Sequence, residues 1–211
     1  MLEIKNLNIN IDNIKILEDF SIKVKNFSSV IGRNGAGKTT LMRSIVGAIK
    51  VKKGNIIFND NDLTNMPAHS MTHYGIGYMP EDRRLVPDLS VRDNILIPIW
   101  AIKSSQQNSE LEKVLNFIPE LKELLNRGSF QLSGGQQKLV ALARAMIVGN
   151  KLLLLDEPFE GVAPALAERL VELIKNLSKL DLLTLITESD ETFSKKIKAD
   201  IIRIERGRVI R

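Results

Sequence analysis

The stretch Gly32-Arg33-Asn34-Gly35-Ala36-Gly37-Lys38-Thr39 decides the fold of this chain. It has the full G-x-x-x-x-G-K-[ST] form, with Ser28 to Ile31 leading in as a short strand and Thr40 to Ile49 leaving as an amphipathic helix. A strand, loop and helix in that order turn the loop's N–H groups toward the positive end of the helix, where anions bind. Gly32, Gly35 and Gly37 remove Cβ atoms where backbone must approach a phosphate. Arg33, Asn34, Ala36 and Thr40 extend the same N–H cradle. Lys38 is expected to reach the β- and γ-phosphates, and Thr39 to hold Mg²⁺.

Outward from this loop, the 211 residues suffice for one large domain, or one domain with an inserted lobe. Charged residues at 26% and apolar residues at 44% exclude a disordered tail. The absence of Cys excludes disulfides and Cys-based zinc sites. Alternation of apolar and polar residues begins at Leu2, so no signal peptide is expected ahead of the fold. The longest apolar run, Ile95 to Ile102, contains Pro98 and falls short of the roughly 18 residues that span a bilayer. The net charge of +5 comes from scattered Lys and Arg, so no nucleic-acid partner is expected.

Residues 2 to 31 alternate with period two (Leu2, Ile4; Leu7, Ile9, Ile11; Ile14, Ile16; Ile22, Val24), which predicts half-buried, antiparallel strands. After the loop helix come a short strand at Ile56 to Phe58, a loop from Asp60 to Thr72, and a strand from Gly75 halted by Pro80. From Leu85 the texture turns helical. Ser90-Val91-Arg92-Asp93 and Ser109-Glu110-Leu111-Glu112 read as helix starts, Ser104 to Asn108 as a polar connector, and Pro119 as a helix end. Residues 85–135 are therefore expected to form a helical lobe inserted into a core made of residues 1–84 and 136–211. Core texture resumes with a helix from about Gly135 to Val148. Leu152 to Leu155 read as a strand buried on both faces, Pro164 to Leu180 as a helix, and Leu182 to Thr187 as a strand. A helix over Glu191 to Lys198 and a hairpin through Arg206-Gly207 follow. The fold class is α/β, with a parallel-sheet core.

Asp156 and Glu157 stand at the carboxyl end of the buried strand, where open α/β sheets bind ligands. Beside a phosphate loop, the first carboxylate helps hold Mg²⁺ and the second orients or deprotonates an attacking water. Leu132-Ser133-Gly134-Gly135-Gln136-Gln137-Lys138 is a second candidate anion site, a hydroxyl and bare N–H groups opening a helix; an ordinary Ser N-cap is the alternative.

In this order and spacing, GRNGAGKTT, LSGGQQK and LLLLDEP resemble the ATP-binding subunits of ABC transporters over essentially the whole chain. The resemblance implies a P-loop ATPase whose cofactors are ATP and Mg²⁺. It implies a head-to-tail pair with a second ATPase subunit, in which Ser133, Gly134, Gly135 and Gln136 complete the partner's γ-phosphate site. It also implies integral membrane permease subunits and a peripheral position on the cytoplasmic face of the cell membrane.

Three positions depart from the family. Tyr78-Met79-Pro80-Glu81 matches the Q-loop with Glu81 for the usual Gln, able to take part in Mg²⁺ or water ligation but with an added charge. Ser189 takes the place of the switch His; its hydroxyl can donate to phosphate but carries no charge, and a register one residue earlier would put Glu188 there instead. Ile11 falls where an aromatic usually stacks on adenine. Pro80 to Val91, with Glu160-Gly161-Val162-Ala163-Pro164, resembles the ATPases of branched-chain amino acid importers, and those of sugar and nucleoside importers carry similar segments. A soluble ABC ATPase serving a non-membrane partner, or a non-catalytic nucleotide sensor, would share the same motifs. His69 and His73 are expected to be surface loop residues. Trp100 is expected to pack the lobe or meet a membrane subunit, and Lys195, Lys196 and Lys198 to form a solvated helix face.

Overall fold

In the computed structural model, which describes residues 1–102, 105–180 and 182–210, the alternating start of the chain makes the antiparallel pair β1 (Leu2–Ile11) and β2 (Ile14–Val24). Asp12 and Asn13 turn between them at positive φ, which Asp and Asn tolerate. Leu2 and Ile4 are buried with a period of two, an irregularity at Asn6 (φ 47°) resets the alternation, and Leu7 and Ile9 are buried beyond it. β3 (Phe27–Ile31) leaves this layer for a second sheet, and the glycine-rich loop then leads into α1 (Lys38–Ile45). β4 (Lys53–Phe58) and the two-residue β5 (Asn61–Asp62) complete the first sheet in the order β2-β1-β4-β5.

The segment read as loop from Asp60 to Thr72 holds β5 and the start of a 3-10 helix, Ala68–Tyr74, which carries His69 and His73. Pro67 presets the entry to that helix, Ser70 returns its N–H and hydroxyl to the Pro67 carbonyl, and Gly75 ends it at φ 73°. Its one buried residue, Met71, leaves no periodic signal for sequence reading.

The chain continues through β6 (Ile76–Met79), α2 (Val91–Ala101), α3 (Gln107–Phe117), 3-10 turns at Pro119–Leu124 and Ser129–Gln131, and α4 (Gly134–Met146). Then follow β7 (Leu152–Asp156), α5 (Pro164–Leu177), β8 (Leu183–Glu188), α6 (Thr192–Lys196), β9 (Asp200–Glu205) and β10 (Arg208–Ile210). The second sheet has the order β10-β9-β3-β8-β7-β6; β10 runs antiparallel to β9 and the other pairings are parallel. Leu153 and Leu155 of β7 join a core built with α2 to α5, while Leu152 and Leu154 face α1 and the first sheet. That two-sided burial is why Leu152 to Leu155 is an unbroken apolar run.

Within the helical segment, Ser90 caps α2 by accepting the Asp93 N–H at 3.0 Å. Ser109 does not cap α3. The helix begins two residues earlier, and the Ser109 hydroxyl donates back to the Gln106 carbonyl at 3.0 Å. Burial of Leu111, Val114 and Leu115 sets that register, and it draws Gln107 and Asn108 of the expected connector into the helix; Ser104 lies outside the described residues. The entry and exit of the segment are laced together by Val91 N–H to Arg127 O at 2.9 Å and Ser129 N–H to Leu89 O at 3.1 Å. Buried Asn94 adds bonds to Val86, Leu89 and Ser90. Trp100 is 43% exposed rather than packed inside this segment. Lys195 and Lys196 pair with Glu191 and Glu168 at the surface.

Candidate functional site

Parallel pairing brings the functional segments to one end of the second sheet. Ile31 is opposite Glu188 and Asp156 opposite Thr187, so the loop after β3, the carboxylates ending β7 and the residue after β8 emerge side by side. Gly32 N–H donates to Glu188 O at 3.1 Å and locks the loop to β8. Gly37 precedes α1 at φ 106°, a backbone that L side chains rarely adopt, and a Cβ there would also meet Leu17 Cδ2 at 2.7 Å and Ile16 O at 3.2 Å. The first N–H groups of α1 have no side-chain cap and open onto a cavity of about 380 Å³. Ile16, Asn34, Gly35, Gly37, Lys38, Thr39, Thr40, Glu81, Glu157 and Glu160 line it. Gly32, Arg33 and Ala36 face the other side of the loop, toward a second hollow that Ser189 also lines.

Lys38 lies buried along the loop, its ammonium donating to the carbonyls of Gly32 at 2.6 Å and Arg33 at 3.2 Å and pairing with Glu157 Oε1 at 3.1 Å. Asp156 Oδ1 accepts the hydroxyls of Thr187 at 2.7 Å and Thr39 at 3.3 Å, and Oδ2 accepts the Tyr78 hydroxyl at 3.1 Å. Burial raises the Asp156 carboxyl above its ordinary value while these three donors oppose the rise. Burial and the Asp156 charge push the Tyr78 phenol upward, so it remains a donor.

Glu157 has φ 47°, and its N–H is held by the carbonyl of Thr187 at 3.1 Å and by the Thr187 hydroxyl at 3.2 Å. Ser189 Oγ stands 3.0 Å from Glu157 Oε2 and 2.9 Å from Asn34 Oδ1, and its single proton serves one of them at a time. Glu188 points away: buried, it accepts the Phe159 N–H at 3.3 Å. Thus the side chain of Ser189, not that of Glu188, meets the glycine-rich loop.

Glu81 is exposed on the cavity rim, and its carboxylate, that of Glu157 and that of Glu160 have oxygens within 4.8 Å of one another. The Glu160 carboxyl is raised by its hydrogen bond to Glu157. Ile11 does not line the cavity. It pairs with Ile14 at the tip of the β1–β2 hairpin, 39% exposed, and the returning strand puts Ile16 against Gly37 instead.

Ser133, Gly134, Gly135 and Gln136 lie apart from this cavity, at the start of α4. Ser133 Oγ accepts the Gln136 N–H at 3.2 Å and Gln136 Oε1 accepts the Ser133 N–H at 3.0 Å, a reciprocal cap that leaves the Ser133 proton free to donate. Sequence reading passed over Thr187, Tyr78, Ile16, Glu160 and Lys138. For Lys138 a signal existed, since it shares a helical line with Leu142 and Ala145, both buried, and a cation on a buried line calls for partners.

A glycine-rich cradle on a parallel sheet, with a strand-end carboxylate pair and a threonine at the helix start, defines a P-loop nucleotide-hydrolysing protein. The family model described as ABC transporter matches residues 17–160, and the chain belongs to that family. The branched-chain amino acid transport ATP-binding protein BraG of Pseudomonas aeruginosa is 31% identical over 93% of this chain and 85% of its own. The lipopolysaccharide export ATP-binding protein LptB of Escherichia coli K12 is 35% identical over 82% and 74%. The ADP conformation of MJ1267, an ATP-binding cassette of an ABC transporter, superposes with a TM-score of 0.84 at 28% identity, covering 100% of this chain and 89% of that one. The chain is an ABC ATPase, the ATP-hydrolysing kind of transporter subunit. Among the described residues no helix is long and apolar enough to cross a membrane.

Proposed function

We propose that this chain is the ATPase of an importer for branched-chain amino acids or related compounds, working as a head-to-tail pair with a second ATPase subunit on the cytoplasmic face of the membrane. The observation carrying the paired arrangement is the separation of the two anion sites: no residue of Ser133 to Gln136 lines the cavity under Lys38 and Thr39. A second chain is what brings such a helix start over the cavity. Import of amino acids is supported by the likeness to BraG and by the segment Pro80 to Val91. The comparable likeness to LptB favours export as the second reading.

At the site, the backbone of Gly32 to Thr40 and the Lys38 ammonium bind the phosphates. Phosphate and Glu157 compete for Lys38, so nucleotide at the loop frees the Glu157 carboxylate to orient and deprotonate water. Thr39 and Asp156 would hold Mg²⁺, with Glu81 as a further ligand; their hard oxygens and the 3.3 Å approach of Thr39 Oγ1 to Asp156 fit that ion. Mg²⁺ supplies charge neutralisation on the phosphates. Ser189 donates to Glu157 or, with nucleotide at the loop, turns that one proton to the γ-phosphate, and Ile16 rather than Ile11 offers the base an apolar wall. Residues 85–135 form the lobe through which permease subunits are met.

Affinity purification of the tagged chain from detergent-solubilised membranes, with mass spectrometry of what accompanies it, tests this reading. Polytopic subunits and a solute-binding protein are expected; soluble partners alone would reject it. In the purified chain, Glu157→Gln is expected to retain ATP and to accumulate as a dimer while losing turnover. A monomeric variant that hydrolyses normally would remove Glu157 from its role.

A further inference from the structure

Lys138 is a buried cation that the chemistry above leaves unused. It is 1% exposed, and its ammonium donates to three backbone carbonyls: Glu157 at 2.9 Å, Pro158 at 3.0 Å and Glu160 at 2.6 Å. Three N–H donors thus meet three acceptors, all on the loop after β7. Burial lowers the Lys138 pKa, which is the cost of placing a charge there, and an apolar side chain would not incur it. The return is positional. Glu157 adopts a left-handed backbone that L side chains resist, and its peptide is gripped from both sides, the N–H by Thr187 and the carbonyl by Lys138. That backbone aims the carboxylate at Lys38 and Ser189.

The same lysine sits on α4, two residues beyond the Ser133–Gln136 cap. On one side of Lys138 is the helix start that meets a second chain's nucleotide; on the other is the carboxylate that faces this chain's own. We propose that Lys138 is a positioning residue for Glu157, transmitting the seating of α4 against the second nucleotide to the carboxylate that orients water at the first. The proposal rests on the paired reading above and deepens it.

The test is Lys138→Met, which keeps the stem and removes the donors, in the full chain within the assembly in which it is recovered. ATP hydrolysis is measured across ATP concentration, alongside equilibrium binding of a fluorescent ATP analogue and thermal melting. A loss of roughly 10- to 100-fold in kcat is expected, as for a carboxylate displaced by about an ångström. KM and analogue affinity should stay within about twofold, and the dependence on ATP concentration should become less cooperative. A kcat within about threefold of wild type, or a loss that tracks analogue binding, overturns the proposal. Should the Met variant not fold, Lys138→Gln takes its place: two N–H donors on a shorter arm cannot serve three carbonyls, so a kcat loss beyond about threefold with analogue affinity kept is expected, and a kcat within about threefold of wild type overturns the proposal. Glu157→Gln run in parallel separates the two readings. If it hydrolyses ATP at the wild-type rate, the role of Glu157 on which the proposal rests falls; if it is inactive while Lys138→Met is fully active, only the role of Lys138 falls.

Discussion

Replacing Glu188 by Gln removes a buried carboxyl whose ionisation the fold resists. Glu188 ends β8 at 6% exposure, and its carboxylate accepts the Phe159 N–H, a bond that a glutamine carbonyl can also make. Burial, opposed by that N–H and reinforced by the charge of Glu157, pushes the carboxyl from 4.5 up to about 8. Between those values the folded chain keeps a proton that the unfolded chain has released. The group's contribution to stability therefore declines as pH rises through the window and levels off above it. At 1.36 kcal/mol per pKa unit, the decline is on the order of 4–5 kcal/mol. For a chain of this size that corresponds to on the order of 10 °C in Tm. Melting of wild type and Glu188→Gln, followed by circular dichroism at constant ionic strength from pH 5 to 9, should give matching Tm values at the acid end and a variant ahead by about that amount at the alkaline end. A difference that is flat with pH, or a variant less stable at pH 9, would refute the reasoning.

Thr187→Val keeps the shape but removes the hydroxyl that donates to Asp156 Oδ1 at 2.7 Å; a loss of about 1.5–3 kcal/mol is expected in urea unfolding, and a change under about 0.5 kcal/mol would show that Asp156 is held by its other donors. Ile16→Trp supplies a ring at the cavity wall. Calorimetry should show ATP bound about 2- to 12-fold more tightly, as a stacking gain of about 0.5–1.5 kcal/mol implies, with inorganic triphosphate unaffected; an equal gain for triphosphate would place the effect outside base contact.

What the sequence makes legible here is what local pattern encodes. The glycine-rich loop, the unbroken Leu152 to Leu155 run and the Ser90 cap all follow from neighbours a few residues apart, and the fold is α/β as those patterns imply. That Ile16 and not Ile11 lines the cavity was not legible, because it depends on where the hairpin tip falls relative to Gly37. Ser109 reads as a cap by composition, yet the register of α3 is set by which apolar residues reach α2 and α4. Ser189 and Glu188 were separable only through the parallel pairing that sends Glu188 back to Phe159. Lys138 lay in plain view inside a motif, but its three acceptors are about twenty residues away on another element, beyond the reach of any periodicity.

The two-residue strand β5 has a consequence for colloidal behaviour. It closes one margin of the antiparallel sheet with polar residues whose groups turn inward: Asn61 Nδ2 donates to the carbonyls of Phe58 and Asn59, and Asp62 accepts the Thr64 N–H. At the opposite margin, β2 is interrupted by register shifts against β1, gives its Glu18 N–H to the carbonyl of Gly207 and pairs Glu18 with Arg208. Neither margin offers a long, flat row of free N–H and C=O groups on which a strand from another molecule could template. Crowded copies of this chain are thereby discouraged from zipping together through the antiparallel sheet.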